Sequence, residues 1–258
     1  MCYRAAVAAS EVRATSFGQV ADDYDRLRPG PSAEALDWLV PPACQVAVDL
    51  AAGTGLFTRA LHERVPEVIA VEPDDRMRGV LAARSPGVRA VAGRGEAIPL
   101  PDGSTDAVFV SSAWHWLDPD LAVPEIARVL RYGGRLGVIW ISRDRRADWV
   151  AELDGGRQLV GRRRDGGPRR PPHEVTLPDN AQFANVESAT FTSVRTMTVD
   201  DAVAWIGTYS AIFTAPEPER AAWLADAREG LLPRADAHGM VDIPVRYSCW
   251  RADRVARG

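Results

Sequence analysis

The sequence contains no lysine, so every basic side chain among its 258 residues is arginine or histidine. With abundant Ala, Gly, Pro and Val, this reads as the amino-acid usage of a GC-rich genome rather than as a demand for guanidinium chemistry. Net positive charge is lacking too. A formal net charge of -4 argues against a general nucleic-acid binder, whose affinity rests on neutralising phosphates. Cysteine is scarce. Cys2, Cys44 and Cys249 are odd in number, widely spaced and form no CxxC, so neither a disulfide framework nor a metal site is expected. No apolar run approaches the ~20 residues needed to cross a bilayer. The Ala-rich start is broken by Arg4, Glu11 and Arg13 and lacks the roughly 7–15-residue apolar core of a secretory signal. These absences predict a cytoplasmic protein with no membrane segment.

What is present is alternation. The length suits one large domain, or one domain with a small insertion. QVAVDL (45–50), VIAVE (68–72), VRAVAG (88–93), DAVFVSS (106–112) and GGRLGVIWIS (133–142) read as strands. Between them LFTRALHERV (56–65), DDRMRGVLAAR (74–84) and PEIARVL (124–130) read as helices, with Asp74 placed to cap one and Pro124 to open another. Apolar strands alternating with helices imply βαβ units and a parallel sheet covered on both faces. Residues 17–29 and 32–40 predict two preceding helices. Residues 185–194 predict a later strand, 198–210 and 216–232 helices, and 241–254 a closing strand.

The sharpest signal is VDLAAGTGLFT (48–58) followed by VIAVEPDDRM (68–77). A strand delivers Asp49, the chain turns through Gly53 and Gly55, and a helix begins. Glycines suit a turn that needs positive φ or lets a ligand lie against bare backbone. Glu72 ends the next strand 23 residues after Asp49, near the offset at which dinucleotide folds place the acid that receives ribose hydroxyls. Thr58 stands where a dinucleotide fingerprint needs a third glycine, so a nucleoside without a pyrophosphate fits better than NAD. Asp49 either caps the turn through nearby backbone N–H groups or contacts the ligand.

Taken with SFGQVADDYDRLRP, GRGEAIPLPDGSTDAVFVSSAWHW and EIARVLRYGGRL, these motifs span roughly residues 16–142. The chain resembles the class I S-adenosylmethionine-dependent methyltransferases, in particular the type 11 small-molecule group and its trans-aconitate methyltransferase branch. The resemblance implies a Rossmann-like α/β fold: a seven-stranded, mostly parallel sheet, helices on both faces, the last strand antiparallel. It implies S-adenosylmethionine as cofactor and S-adenosylhomocysteine as product. The turn bearing Ala51, Gly53 and Gly55 would border the methionine part of the cofactor. Glu72 would hold the ribose, Pro73 and the Arg94-Gly95-Glu96 segment would flank adenine, and Ser111 would line the pocket floor. An acid often precedes the segment's small residue and Glu in this family; here that position is Arg94, which has no acceptor, so adenine recognition would fall to backbone groups there. Glu96 would also tie its loop to the interior. Tyr24, with Arg28, would fold over the cofactor, unless Tyr24 is a packing residue of its helix.

His115 lies between two tryptophans directly after the fourth strand, where open parallel sheets bind ligands. It is the candidate general base, or a ring that only packs. The organisation expected is a helical cap (1–40), the cofactor-binding core (41–142), an Arg/Gly/Pro-rich insertion or lid (143–184) and strands and helices completing the same domain (185–258). Acceptor choice is expected in the N-terminal helices, the insertion and the helices carrying Trp205, Tyr209 and Trp223. The expected acceptor is a small molecule, with nucleic acid disfavoured, in a monomer or homodimer. Two rivals stand beside this reading: an RNA or protein methyltransferase docking through Arg157, Arg162, Arg163, Arg164, Arg169 and Arg170, and a protein that binds the cofactor but transfers no methyl group.

Overall fold

The structure, a computed structural model, describes residues 21–153, 174–179, 181–213 and 215–256. Strands β1 (Val46–Leu50), β2 (Glu67–Val71), β3 (Arg89–Val91), β4 (Thr105–Ser111), β5 (Leu130–Arg143), β6 (Phe183–Thr198) and β7 (Met240–Arg254) form one sheet in the order β3-β2-β1-β4-β5-β7-β6. Four of the five residues in each of β1 and β2 are buried, as expected of short apolar strands covered on both faces. Strands β1 to β5 pair in parallel. Strand β7 runs against its neighbours. Arg135 bonds Asp253 while Asp144 bonds Pro244, and Glu187 pairs with Arg251 while Thr196 bonds Asp242, so numbers fall along one strand as they rise along the other. The Rossmann-like sheet with an antiparallel last strand is therefore present.

Helices α1 (Ala21–Leu27), α2 (Ala33–Leu39), α3 (Leu56–His62), α4 (Asp75–Arg84), α5 (Pro119–Val129), α6 (Asp148–Glu152), α7 (Val199–Gly207), α8 (Ser210–Phe213) and α9 (Glu217–Leu231) connect the strands. Local chemistry sets their starts. Ser32 accepts from the Ala35 amide, Asp74 from those of Arg76 and Met77, and Thr198 from that of Asp201. One expectation is corrected. Pro124 does not open its helix: α5 starts at Pro119 behind the cap Asp118, and Pro124 lies inside it. Pro124 is exposed, so the carbonyl left without an N–H partner one turn earlier can be met by water.

The chain divides into two compact units. One is drawn from Pro29–Ile141, His173–Phe191 and Tyr247–Gly258. Its core joins Val48, Leu50, Ile69, Val71, Val108, Val110, Ile126, Leu136 and Val138 to Trp140 and Trp250. The other is drawn from Met1–Arg28, Ser142–Pro172 and Thr192–Arg246. Inside it Trp205, Ile206, Ala202, Ala227, Leu231, Ile243 and Val245 are buried. Arg26 pairs with Asp201 and Arg195 donates to the Leu27 carbonyl, which fixes α1 at both charge and backbone. Trp205 is 0% exposed and serves this core. Residues 17–20 of the first expected helix and the arginines from 157 to 170 lie outside the described residues. No helix among the described residues is long and apolar enough to cross a membrane.

Candidate cofactor site

Strand order reverses between β1 and β4, so the segments leaving these neighbours run apart and open a crevice beyond their carboxyl ends. Register places the candidates there. Asp49 lies beside Ala70 of β2 and Phe109 of β4, so Ala51, Glu72 and Ser111 sit at or just beyond adjoining strand ends. Two non-glycine residues in this rim take left-handed backbone, Ala51 at φ 57° and Ser112 at φ 54°. Each costs about 1–2 kcal/mol. Ser112 is held by its amide donating to Ile139 and its hydroxyl accepting from Ile141.

The turn after β1 then alternates. Ala51, Gly53 (φ 58°) and Gly55 (φ 85°) are left-handed, separated by Ala52 and Thr54. The two glycines have different reasons. A Cβ on Gly53 would meet only the Met77 sulfur at 3.7 Å, and the residue is half-exposed, so its bare backbone is open to a ligand. A Cβ on Gly55 would stand 2.8 Å from Leu81 Cγ, so that glycine lets the start of α3 pack on α4.

Glu72, 5% exposed, organises the crevice. One carboxylate oxygen accepts from the Gly53 amide and the other from the Asp74 amide, each at 2.8 Å. Burial pushes its pKa up; those two amides and Arg78 work against the rise. Each oxygen keeps a further lone pair for a hydroxyl. Asp49 is fully buried beneath. Its Oδ2 accepts from the Thr58 hydroxyl at 2.6 Å, whereas Oδ1 has no hydrogen-bond partner among the described residues. Burial pushes the Asp49 pKa up to about 7, opposed by Thr58 and reinforced by the charge of Glu72. Thr58 is the residue whose role the sequence missed. Absent as a third glycine, it donates to Asp49, and a hydroxyl three residues after a glycine N-cap was the available signal.

The remaining candidates separate. Pro73 and Arg94 are exposed. The Arg94 carbonyl already accepts from the Ala97 amide, which closes a tight turn. A Cβ on Gly95 would lie 2.7 Å from Leu117, so packing demands this glycine. Glu96 accepts from the Asp118 amide and thus fastens its loop to the start of α5. Arg128 fixes the same loop further on, donating to the Ile98 and Leu100 carbonyls while paired with Glu125 and Asp102. His115 is exposed in a short 3-10 turn, Trp114–Trp116, its ring 4.7 Å from that of Trp116. Tyr24 and Arg28 belong to the other unit. There Arg28 lies 5.0 Å from the Tyr24 ring, one helical turn along α1.

A site with two acceptor oxygens on one carboxylate, a half-exposed glycine backbone and a buried carboxylate oxygen unpartnered among the described residues fits a nucleoside bearing a vicinal diol. The donor set matches S-adenosylmethionine on that count: Glu72 would hold the ribose, and the turn at Ala51–Gly53 would lie along the amino-acid part.

Known proteins agree. Residues 48–138 match the family described as a methyltransferase domain. An uncharacterized methyltransferase of Mycobacterium tuberculosis is 41% identical over 240 residues, covering 92% of this chain and 95% of that protein. A malonyl-[acyl-carrier protein] O-methyltransferase of Methylococcus capsulatus is 38% identical over 133 residues, 47% of this chain and 48% of its own length. Among solved structures, a type II methyltransferase from Anaeromyxobacter dehalogenans is similar with a TM-score of 0.65 and 25% identity, covering 90% of this chain and 99% of that one. The chain belongs to the S-adenosylmethionine-dependent methyltransferases.

Proposed function

We infer that the acceptor is a small organic molecule and that the methylated atom is a carboxylate oxygen. The observation that carries the first part is where the arginines go. Arg64, Arg78, Arg128, Arg131, Arg135, Arg146, Arg220, Arg228 and Arg251 are all ion-paired with Asp or Glu of the same chain. Cations spent this way are poorly placed to displace counterions from a nucleic acid, and the net charge is -4. The second part rests on likeness: the O-methyltransferase relative is named for a malonyl substrate, and the sequence resembles the trans-aconitate branch.

S-adenosylmethionine supplies a methyl group on a sulfonium, already activated toward attack. The protein therefore needs to align an acceptor and exclude water, and orientation of this kind is worth roughly 7–11 kcal/mol. His115 with Trp116 meets the acceptor. A carboxylate is already deprotonated at neutral pH, so His115 positions it and removes no proton. Replacing His115 with Asn then slows turnover less than about tenfold, whereas a general base would cost roughly 10²–10⁴.

Release of S-adenosylhomocysteine across panels of carboxylic acids, phenols, amines and bulk tRNA tests the reading. Turnover confined to acids, yielding alkali-labile methyl esters, supports it. Turnover on tRNA alone overturns it.

A further inference from the structure

Two side chains of α5 grip the loop that follows β3. Arg128 commits all five of its guanidinium N–H donors there. Its Nε and one terminal nitrogen donate to the two Glu125 carboxylate oxygens at 2.8 and 2.9 Å. The terminal nitrogens also reach the Ile98 and Leu100 carbonyls, at 2.9 and 2.8 Å, and Asp102 at 2.7 Å. Glu125 in turn accepts from the Ile98 amide at 3.0 Å, so Ile98 is held at both its N–H and its C=O. The Arg128 contact holds the Glu125 carboxyl below the ordinary carboxylate range, which keeps the pair charged as the pH falls. Ahead of this clamp the loop rests on the start of α5. Gly95 is buried so close to Leu117 that a Cβ would stand 2.7 Å from it, and Glu96 accepts from the Asp118 amide at 3.0 Å.

The anchored loop keeps an outward side, since Ala92, Arg94 and Ala97 are exposed. Strand order says what that side faces. In the run β3-β2-β1, Glu72 at the end of β2 stands between the glycine turn after β1 and this loop after β3. The Glu72 amide donates to the Val91 carbonyl at 3.1 Å, and a Cβ on Gly93 would lie 2.9 Å from Val71, so the loop starts directly beside the ribose acid. A nucleoside with its ribose on Glu72 and its 5′ substituent along the glycine turn sends its base the other way, onto residues 92–97. Adenine presents an amino donor next to a ring-nitrogen acceptor, and the Arg94 side chain has no acceptor to offer. Backbone groups must therefore meet that edge. They tell a donor from an acceptor only if their position is fixed to within about 0.5 Å.

We propose that Arg128, acting with Glu125, is the positioning residue for the cofactor's base: it fixes the 94–97 turn so that the protein prefers adenine to a 6-oxopurine. Both side chains act through the loop backbone. The inference rests on the ribose lying at Glu72 and on nothing about the acceptor.

Calorimetry compares S-adenosylhomocysteine with S-inosylhomocysteine, in which a carbonyl replaces the amino group and the neighbouring ring nitrogen becomes a donor. The wild-type protein prefers the adenosyl ligand by about tenfold or more, the scale of the hydrogen bonds lost. Arg128→Met brings that preference to within about threefold, and does so by weakening the adenosyl ligand alone. A merely structural role would weaken both ligands alike and leave their ratio unchanged. Glu125→Gln keeps an acceptor for the Ile98 amide but gives up the charge; it loses part of the preference and decides the matter if Arg128→Met does not fold. Preference retained in full by a folded Arg128→Met protein, or in its absence by Glu125→Gln, overturns the proposal, as does a wild-type protein that binds both ligands equally. Failure of S-adenosylhomocysteine to bind at all overturns the ribose assignment, and the proposal with it.

Discussion

Replacing Asp49 with Asn should make stability less dependent on pH, in a direction the structure fixes. The Asp49 side chain is fully buried, one oxygen lacks a partner among the described residues, and its pKa stands at about 7 against an ordinary 3.8. A raised folded-state pKa means that the folded protein holds the proton more tightly than the unfolded chain. The stability this provides is complete below about pH 4 and is lost as the pH climbs through 7. A rise of roughly 3 units at about 1.4 kcal/mol each sets a ceiling near 4 kcal/mol. Asn has the same shape and no proton to lose, so it escapes this loss. Urea unfolding of both proteins at intervals from pH 4.5 to 8 should show the variant gaining on the wild type by about 2–4 kcal/mol, most of it between pH 5 and 7. A difference that stays flat within about 0.5 kcal/mol would show that Asp49 titrates as a solvated acid, and the buried-carboxylate account would be wrong.

Other outcomes follow from the same crevice. Thr58→Val removes the donor 2.6 Å from Asp49 and should destabilise by about 2 kcal/mol at pH 8 but by much less at pH 4.5, read by the same unfolding series. Gly55→Ala combines a left-handed φ with a 2.8 Å approach to Leu81, so it should lower stability by about 2–4 kcal/mol in urea unfolding. Gly53→Ala meets no such clash; it should cost only about 1 kcal/mol of stability while weakening cofactor affinity, measured by calorimetry, about tenfold or more.

The βαβ core was legible because its physics is local. Apolar runs such as VAVDL, a cap such as Asp74 and turn glycines each announce themselves within a few residues. The order of strand, glycine turn, helix and acid likewise located Glu72 without any coordinates. What stayed hidden depends on partners distant in sequence. Thr58 shows its role only once Asp49 lies above it, and the reason for Gly55 is Leu81 on the next helix. Pro124 misled because proline marks helix starts more often than interiors, and only its exposure shows why the interior tolerates it. That Trp205 serves a core was equally hidden, because an aromatic on an amphipathic helix does not reveal whether it faces a core or a pocket.

The central claim is that Glu72 holds the ribose of S-adenosylmethionine, and calorimetric titration of S-adenosylhomocysteine into the wild-type, Glu72→Gln and Glu72→Ala proteins addresses it most directly. The account predicts binding by the wild type, a loss of about 2 kcal/mol, or roughly thirtyfold, for Ala, and a smaller loss for Gln, which keeps one acceptor oxygen. An unchanged dissociation constant in a folded Glu72→Ala protein, or binding of NAD with none of S-adenosylhomocysteine, would contradict it.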